Sequence, residues 1–247
     1  MCIRDRSEIA IEVKDLCIDY RPLKNMSIVK TLFHKKQEQE KVFRAVKNVS
    51  FCVEKGDILG IVGKNGSGKS TMLRAVAGIF RPDEGYIDLK GNSISLLSIG
   101  VGFNNELSGR ENIVLSGMLL GFSEKEILER MDSIIEFAEI GEFIDMPVKT
   151  YSSGMYSKLA FSITVNLETD IMLVDEVLSV GDEKFKKKSL AKMKSLIMDQ
   201  SRTVIIVSHD LNTLKELCDK ILWIHEGEIR AYGEPESILE EYKSFMK

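Results

Sequence analysis

One short stretch of this chain has the composition and spacing of a phosphate-binding loop. It matches the pattern GxxxxGK[ST] at every constrained position, and its residues are Gly63, Lys64, Asn65, Gly66, Ser67, Gly68, Lys69 and Ser70. Glycines let the backbone curl so that successive N–H groups face phosphate oxygens. Lys69 is then expected to reach the β- and γ-phosphates of a nucleotide, and the hydroxyl of Ser70 to ligate Mg²⁺.

The residues on either side of this loop supply the context that such a motif needs. Residues 57–62 read as a buried strand, and residues 71–76, which begin with Thr71, open a helical pattern. A helix N-terminus adds the positive end of its dipole to an anion site. The alternative interpretation is a glycine-rich turn without a ligand, and the strand–loop–helix order argues against it.

Two adjacent carboxylates supply the second half of a nucleotide site. Asp175 and Glu176 end a continuous apolar run, residues 171–174, which is typical of a buried parallel strand. Open α/β sheets bind ligands at the carboxyl ends of such strands. Neighbouring strand residues face opposite sides, so Asp175 is expected to hold Mg²⁺ while Glu176 polarises the attacking water. A purely structural acidic pair is the alternative, and the phosphate loop favours the chemical interpretation.

Two further motifs complete an ordered set. Residues 151–155 read Tyr-Ser-Ser-Gly-Met and open an apparent helix, and residues 207–210 read Val-Ser-His-Asp after the apolar run 203–206. Phosphate loop, small-residue helix start, carboxylate pair and strand-terminal histidine, in that order, resemble the ATP-binding cassette of ABC transporters. The resemblance covers about residues 8–233.

The resemblance implies an α/β fold and a cofactor set. The fold is the P-loop NTPase cassette: a mostly parallel core sheet flanked by helices, an antiparallel β subdomain and an inserted helical subdomain. The cofactors are ATP and Mg²⁺, bound between two cassettes that dimerise head to tail. Ser152 and Gly154 are then expected to contact the γ-phosphate across the dimer, while His209 senses it within its own subunit. Thr71 and Asp182 are also expected near the nucleotide.

This chain departs from the commonest cassette pattern in three places. The signature motif is YSSGM instead of LSGGQ, the loop usually written SALD reads Ser-Val-Gly-Asp at residues 179–182, and residues 100–107 stand in for the Gln loop without containing a Gln. Asn104 supplies an amide oxygen there, so it is a candidate ligand for Mg²⁺ and water. A turn-capping asparagine is the alternative interpretation.

These variant motifs look like those of polysaccharide exporters, which move O-antigen, teichoic acid and related lipid-linked glycans. The implied assembly is a homodimer of cassettes with two copies of a separate polytopic membrane permease. It would lie at the cytoplasmic face of the cell (inner) membrane, attached through the permease. The alternatives are an exporter cassette for a non-glycan substrate and a soluble ABC ATPase of DNA repair or ribosomes. The chain shows neither a heptad arm nor a second cassette, features that such soluble ATPases carry.

Composition agrees with one large α/β unit. The chain has 247 residues and a formal net charge of −4, which argues against a nucleic-acid-binding surface as its main function. No apolar stretch approaches the ~20 residues of a transmembrane helix. No signal peptide is recognised either, so membrane association is expected to be through partners.

The expected domain layout follows from the motif positions. Residues 7–233 form the cassette, with its helical subdomain at about 102–154 and an insertion at 21–42 between the first strands. Residues 234–247 form a C-terminal helical tail, and residues 1–6 are expected to be a non-native or disordered extension.

Two charged segments have two interpretations each. Residues 21–42 are either a solvated hairpin or an amphipathic helix at the mouth of a membrane channel. Lys184 to Lys188 are either a solvated helix face or a contact with lipid head groups.

Local patterns predict individual elements. Residues 7–20 and 49–53 are expected to be antiparallel strands, and Pro235 to start a helix that docks on the body. Trp223 is expected in the core. Tyr20 and Phe43 are both candidates for stacking on adenine.

The helical subdomain carries two predicted capping boxes, Ser108 with Glu111 and Ser123 with Glu126. After the second box, a predicted apolar helix face consists of Ile127, Leu128, Met131, Ile134, Ile135 and Ala138.

Overall fold

The computed structural model describes residues 8–20, 42–97, 100, 102–175 and 181–246. The strands are β1 (Ile9–Tyr20), β2 (Phe43–Glu54), β3 (Ile58–Val62), β4 (Glu84–Asp88), β5 (Ile94–Leu96), β6 (Ile171–Asp175), β7 (Thr203–Val207), β8 (Lys220–His225) and β9 (Glu228–Gly233). The helices are α1 (Lys69–Val76), α2 (Gly109–Leu119), α3 (Glu124–Ala138), α4 (Ser153–Asn166), α5 (Glu183–Ile197), α6 (Leu211–Leu217) and α7 (Pro235–Phe245). Two 3-10 helices, Gly141–Asp145 and Val148–Thr150, lie between α3 and α4.

The strands form two sheets, as the resemblance implied. A six-stranded sheet has the order β5-β6-β7-β3-β8-β9, in which only β9 runs antiparallel to its neighbour. A three-stranded antiparallel sheet has the order β2-β1-β4. Together with the flanking helices, this arrangement confirms the predicted cassette fold.

Two apolar layers cover the faces of the large sheet. One layer joins it to the antiparallel sheet and to α1, and includes Ile11, Met72 and Ile205. The other joins it to α4, α5, α6 and α7, and includes Phe161 and Trp223. Continuous β-branched runs such as β7 suit a strand that is buried on both faces.

A third apolar cluster belongs to α2, α3, α4 and the 3-10 segment between them, and it includes Ile113, Ile134 and Leu159. Both predicted capping boxes are present: Ser108 and Ser123 each accept from the backbone N–H three residues on, and Glu111 and Glu126 accept in return. Such reciprocal bonds satisfy helix N–H groups that would otherwise lack a partner.

The C-terminal tail docks where the sequence predicted. Pro235 stands in the first turn of α7, and Ile238, Leu239 and Tyr242 are buried. Trp223 is fully buried beside this helix.

Three expectations need correction. Strand β2 starts at Phe43, earlier than predicted, because register shifts and a positive φ at Asn48 interrupt the alternation that the prediction relied on. Strands β4 and β5 had no counterpart among the expected elements, since β4 is largely exposed and β5 is short. Leu128 does not pack with the apolar face of α3, because its side chain is 55% exposed.

Several expectations fall on residues outside this description. They concern residues 1–6, nearly all of the 21–42 insertion, and Glu176. Within the described ranges, no helix is both long and apolar enough to cross a membrane. In the lysine run, Lys184 and Lys188 form ion pairs with Glu139.

The contrast between Ile134 and Leu128 gives a stability prediction. Ile134 is fully buried in the helical cluster, whereas Leu128 projects from the same helix into solvent. Ile134→Ala should lower the free energy of unfolding by about 2–5 kcal/mol through lost burial and a residual cavity, and Leu128→Ala by less than about 0.5 kcal/mol. Urea denaturation measures both values; equal losses in the two variants would contradict the packing described here.

Candidate nucleotide-binding site

The phosphate loop joins β3 directly to α1, and two of its glycines adopt a backbone that other residues rarely reach. Gly66 has φ 79° and Gly68 has φ 103°, both in the left-handed region that favours glycine. A Cβ atom on Gly63 would collide with the carbonyl oxygen of Ile224 in β8. The loop therefore follows the sheet edge more closely than a side chain would permit.

The Lys69 ammonium lies inside this loop. Its Nζ donates to the carbonyl oxygen of Gly63 at 2.7 Å and to that of Lys64 at 3.0 Å. Lys69 is only 7% exposed, and a buried ammonium requires such acceptors. The positive charge is thus held at the centre of the curled backbone, where a phosphate group would be received.

A cavity of about 520 Å³ opens beside the loop, within the range of about 300–1,000 Å³ typical of cofactor sites. Its walls come from the phosphate loop, the start of α1, the first two strands and the ends of β6 and β7. The lining residues are Tyr20, Phe43, Ala45, Asn65, Gly66, Gly68, Lys69, Ser70, Thr71, Asp175, Val207 and His209.

The structure brings the two distant motifs to this cavity. Asp175 ends β6 in register with Val207 of β7, and β7 pairs in turn with β3. The parallel register therefore carries Asp175 and His209 to the same edge as Ser70. Glu176 follows Asp175 directly in the chain and lies outside the described residues.

Both aromatic candidates line the cavity. Tyr20 and Phe43 are opposite each other in the β1–β2 register. The Tyr20 hydroxyl is 3.2 Å from Oγ1 of Thr71, and its ring meets Phe80 edge-on at 6.3 Å. Phe43 is 62% exposed and Tyr20 is 41% exposed, so the Phe43 ring is the more accessible of the two. The sequence left this choice open, and the structure gives the cavity both rings.

Ser152 and Gly154 are not among the described residues that line this cavity. Ser152 is the N-cap of α4, and its Oγ accepts from the backbone N–H of Met155 at 3.2 Å. Both residues sit at an exposed or half-exposed helix start. This helix start is therefore accessible to solvent.

Both carboxylate oxygens of Asp182 make structural contacts within the subunit. Its Oδ1 accepts from the Phe185 backbone N–H at 2.9 Å as the N-cap of α5, and its Oδ2 pairs with Lys158 of α4 at 2.6 Å. The Lys158 ammonium and this backbone N–H lower the pKa of Asp182 to about 2. Asp182 thus stays charged and ties the start of α5 to the helix that Ser152 caps.

Asn104 caps a turn. Its Oδ1 accepts from the backbone N–H of Glu106 at 3.0 Å, and Asn112 bonds its backbone N–H and carbonyl. Asn104 is not among the described residues that line the cavity. The geometry favours the turn-capping alternative over the metal-ligand interpretation.

Sequence reasoning missed one wall of the cavity. Ala45 lies in β2, and its carbonyl oxygen is so close to Gly68 that a Cβ there would approach it to 2.5 Å. No sequence signal marks Ala45, because its contribution is a backbone position set by the pairing of β1 with β2.

Three comparisons with known proteins bear on this site. Residues 46–179 match the family described as ABC transporter. The chain is 45% identical over 218 residues to the teichoic acids export ATP-binding protein TagH of Lactococcus lactis subsp. lactis (strain IL1403), covering 88% of this chain and 46% of that protein. It is 42% identical over 219 residues to the O-antigen export system ATP-binding protein RfbB of Klebsiella pneumoniae, covering 87% of this chain and 89% of that protein.

Solved structures agree on the fold. The ATP-binding subunit of an ABC transporter superposes with a TM-score of 0.69 at 22% identity, covering 95% of this chain and 93% of that one. The chain spans about half the length of the first curated relatives it matches. Its similarity to the Klebsiella protein, by contrast, runs through nearly all of both sequences. From the sheet order to the phosphate loop and the sequence matches, the conclusion is the same: this chain belongs to the ABC transporter family, as an ATP-binding cassette.

Proposed function

We propose that this chain is the ATP-hydrolysing subunit of an exporter for lipid-linked polysaccharide. The observation that carries the proposal is the cavity beside Lys69, into which the phosphate loop, Asp175 and His209 converge. The glycan substrate is inferred from relatives named for teichoic acid and O-antigen export. The partners are a second cassette and two copies of a separate membrane permease, which would hold the chain at the cytoplasmic face of the membrane.

The residues present fit ATP with Mg²⁺. Ser70 supplies a hydroxyl and Asp175 a carboxylate on the same cavity wall, and these oxygen ligands suit Mg²⁺. When bound, the ion neutralises charge on the β- and γ-phosphate oxygens. Buried Ser67 has an Oγ without a hydrogen-bond partner among the described residues, which leaves a polar atom in the loop to meet a phosphate.

The chain's own groups divide the work of hydrolysis. Lys69 leaves its carbonyl acceptors for the β- and γ-phosphates, which provide stronger, charge-assisted bonds. Glu176, next to Asp175, accepts the proton of the attacking water as a general base. His209, at the cavity edge, contacts the γ-phosphate and registers its loss.

The completed site takes groups from two subunits. Ser152 and Gly154 lie at a solvent-accessible helix start, where N–H donors and a hydroxyl suit an anion. In a head-to-tail dimer this helix start closes over the partner's phosphate loop. A cassette of the same fold has been solved as a dimer in a post-hydrolysis state bound to ADP and Pi, which supports pairing of two cassettes.

The substrate assignment has its own test in the source cell. Loss of this chain should leave lipid-linked glycan accumulating inside the cell and reduce glycan at the surface. Normal surface glycan in the deletion strain would point to a non-glycan exporter instead. A variant with an intact fold but no ATPase activity, Lys69→Ala, should reproduce the deletion.

Complementation between two inactive variants tests the shared site. Lys69→Ala removes the phosphate-loop cation, and Ser152→Arg blocks the helix start that faces the partner. Each variant alone should lose hydrolysis, because every site in its dimer carries the defect. A mixture should regain activity, because a mixed dimer contains one site with both native motifs. Phosphate release, measured before and after mixing, reports the result.

The matched control for Ser152→Arg is Ser123→Arg, which loses an equivalent N-cap at another exposed helix start. This control should keep nearly full activity. A mixture that stays as inactive as its two components would contradict the composite site.

Glu176→Gln separates proton transfer from nucleotide binding. Turnover should fall about 10²–10⁴-fold, the usual contribution of general-base catalysis, while ATP affinity holds. Because ATP then persists between the subunits, the variant should elute as a dimer from a size-exclusion column run with Mg-ATP.

Asp175→Asn is the comparison for Glu176→Gln, since it weakens Mg²⁺ binding and should form no stable dimer. Wild-type turnover in Glu176→Gln would exclude Glu176 as the base.

A further inference from the structure

Three aromatic side chains meet beneath the phosphate loop. This aromatic cluster consists of Trp223 in β8 and of Tyr242 and Phe245 in α7. The Trp223 ring lies edge-on to Tyr242 at 5.3 Å and to Phe245 at 5.3 Å. The Arg230 guanidinium covers the outer side, 4.4 Å from the Trp223 ring and 4.2 Å from Phe245. The end of α7 is therefore fixed to the sheet by specific contacts.

The same cluster contacts the start of the phosphate loop. The Lys64 ammonium stands 4.7 Å from the centre of the Phe245 ring, within the distance of a cation–π interaction. Val62, the residue before Gly63, is in register with Trp223. Helix α7 thus supports the loop at the point where it leaves β3.

Gly63 and Lys64 hold the Lys69 cation. Their carbonyl oxygens accept hydrogen bonds from the Lys69 ammonium, at 2.7 and 3.0 Å. A shift of residues 63 and 64 would therefore move the acceptors of Lys69. The contacts form a continuous path from Phe245 of α7 through Lys64 to Lys69.

We propose that Phe245, which packs on Trp223 together with Tyr242, is a positioning residue for nucleotide binding, acting through Lys64 on the phosphate loop. The inference rests on the proposed function, since it assumes that the loop binds ATP. A loop that is already fixed in its binding conformation loses less conformational entropy when the ligand binds. Neither side chain touches the nucleotide cavity among the described lining residues, so neither is a catalytic residue.

The fluorescence of Trp223 can report movement along this path of contacts. It is the only tryptophan in the sequence, and it is fully buried, away from the described cavity lining. All intrinsic tryptophan emission therefore comes from the aromatic cluster. If nucleotide binding moves residues 63 and 64, the emission of Trp223 should change although the nucleotide does not reach it.

The test measures binding of a non-hydrolysable ATP analogue with Mg²⁺ by calorimetry, together with Trp223 emission. Phe245→Leu keeps apolar volume but loses the ring, and should weaken binding about twofold to fivefold, the size of an exposed cation–π contact. Tyr242→Phe keeps the ring that packs on Trp223 and should bind with nearly native affinity. Phe245→Tyr keeps a ring beside Lys64 and should restore nearly native affinity.

Ile238→Val is the matched control, because Ile238 is buried in the same helix and the same apolar layer. It should lower the melting temperature without changing the affinity. In a Lys64→Ala background, Phe245→Leu should have no further effect on affinity, since its route to the loop is gone. A full additional loss in that background would overturn the route through Lys64.

The outcomes separate this inference from the proposed function. Wild-type binding with a change in Trp223 emission that shrinks in Phe245→Leu supports the inference. Wild-type binding with native affinity in Phe245→Leu overturns the inference and leaves the proposed function standing. Absence of nucleotide binding by the wild type overturns both.

Discussion

The large sheet places β3 between β7 and β8, with the carboxyl ends of all three strands at one edge. Loops that leave parallel strands at one edge must emerge side by side. The phosphate loop after Val62 therefore lies near His209, and β6 brings Asp175 to the same edge through its pairing with β7. Every group of the candidate site depends on this register. Moving one strand by a single residue would turn its side chains to the opposite face.

A second constraint is the burial of Lys69. A charged ammonium removed from water is costly unless acceptors replace the lost hydration, and the Gly63 and Lys64 carbonyls are those acceptors. These carbonyls converge because the loop curls through glycine conformations. The same curl presents N–H groups to a ligand. One backbone shape thus stabilises the buried cation and forms the anion site, so folding and nucleotide recognition share a single local requirement.

Helices α4 and α5 are joined by an ion pair and a cation–π contact. Lys158 of α4 pairs with Asp182, the N-cap of α5. The Lys158 ammonium also lies 5.3 Å from the Phe185 ring in α5. Helix α4 begins at Ser152, the residue proposed to meet the partner's nucleotide. The proposed dimer contact is therefore linked to α5 within one subunit, which suits the proposed coupling of hydrolysis to movement.

The sequence by itself predicted the chemistry proposed for this protein, because local motifs carry it. The phosphate loop, Asp175, His209 and the capping boxes at Ser108 and Ser123 were each readable from neighbouring residues. Longer patterns also predicted the buried strands and the docking of α7. The comparisons confirm the ABC transporter family that these motifs indicated, and the roles of the individual site residues remain proposals.

Only the tertiary structure decided what depends on residues far apart in the chain. In the folded chain, Leu128 is exposed outside the helical core. The Asn104 amide oxygen accepts a hydrogen bond within a turn, and both Tyr20 and Phe43 line the cavity. The tertiary structure also set Phe245 against Lys64. The physical reason is that strand register and helix packing, which no local pattern specifies, determine which side chains meet.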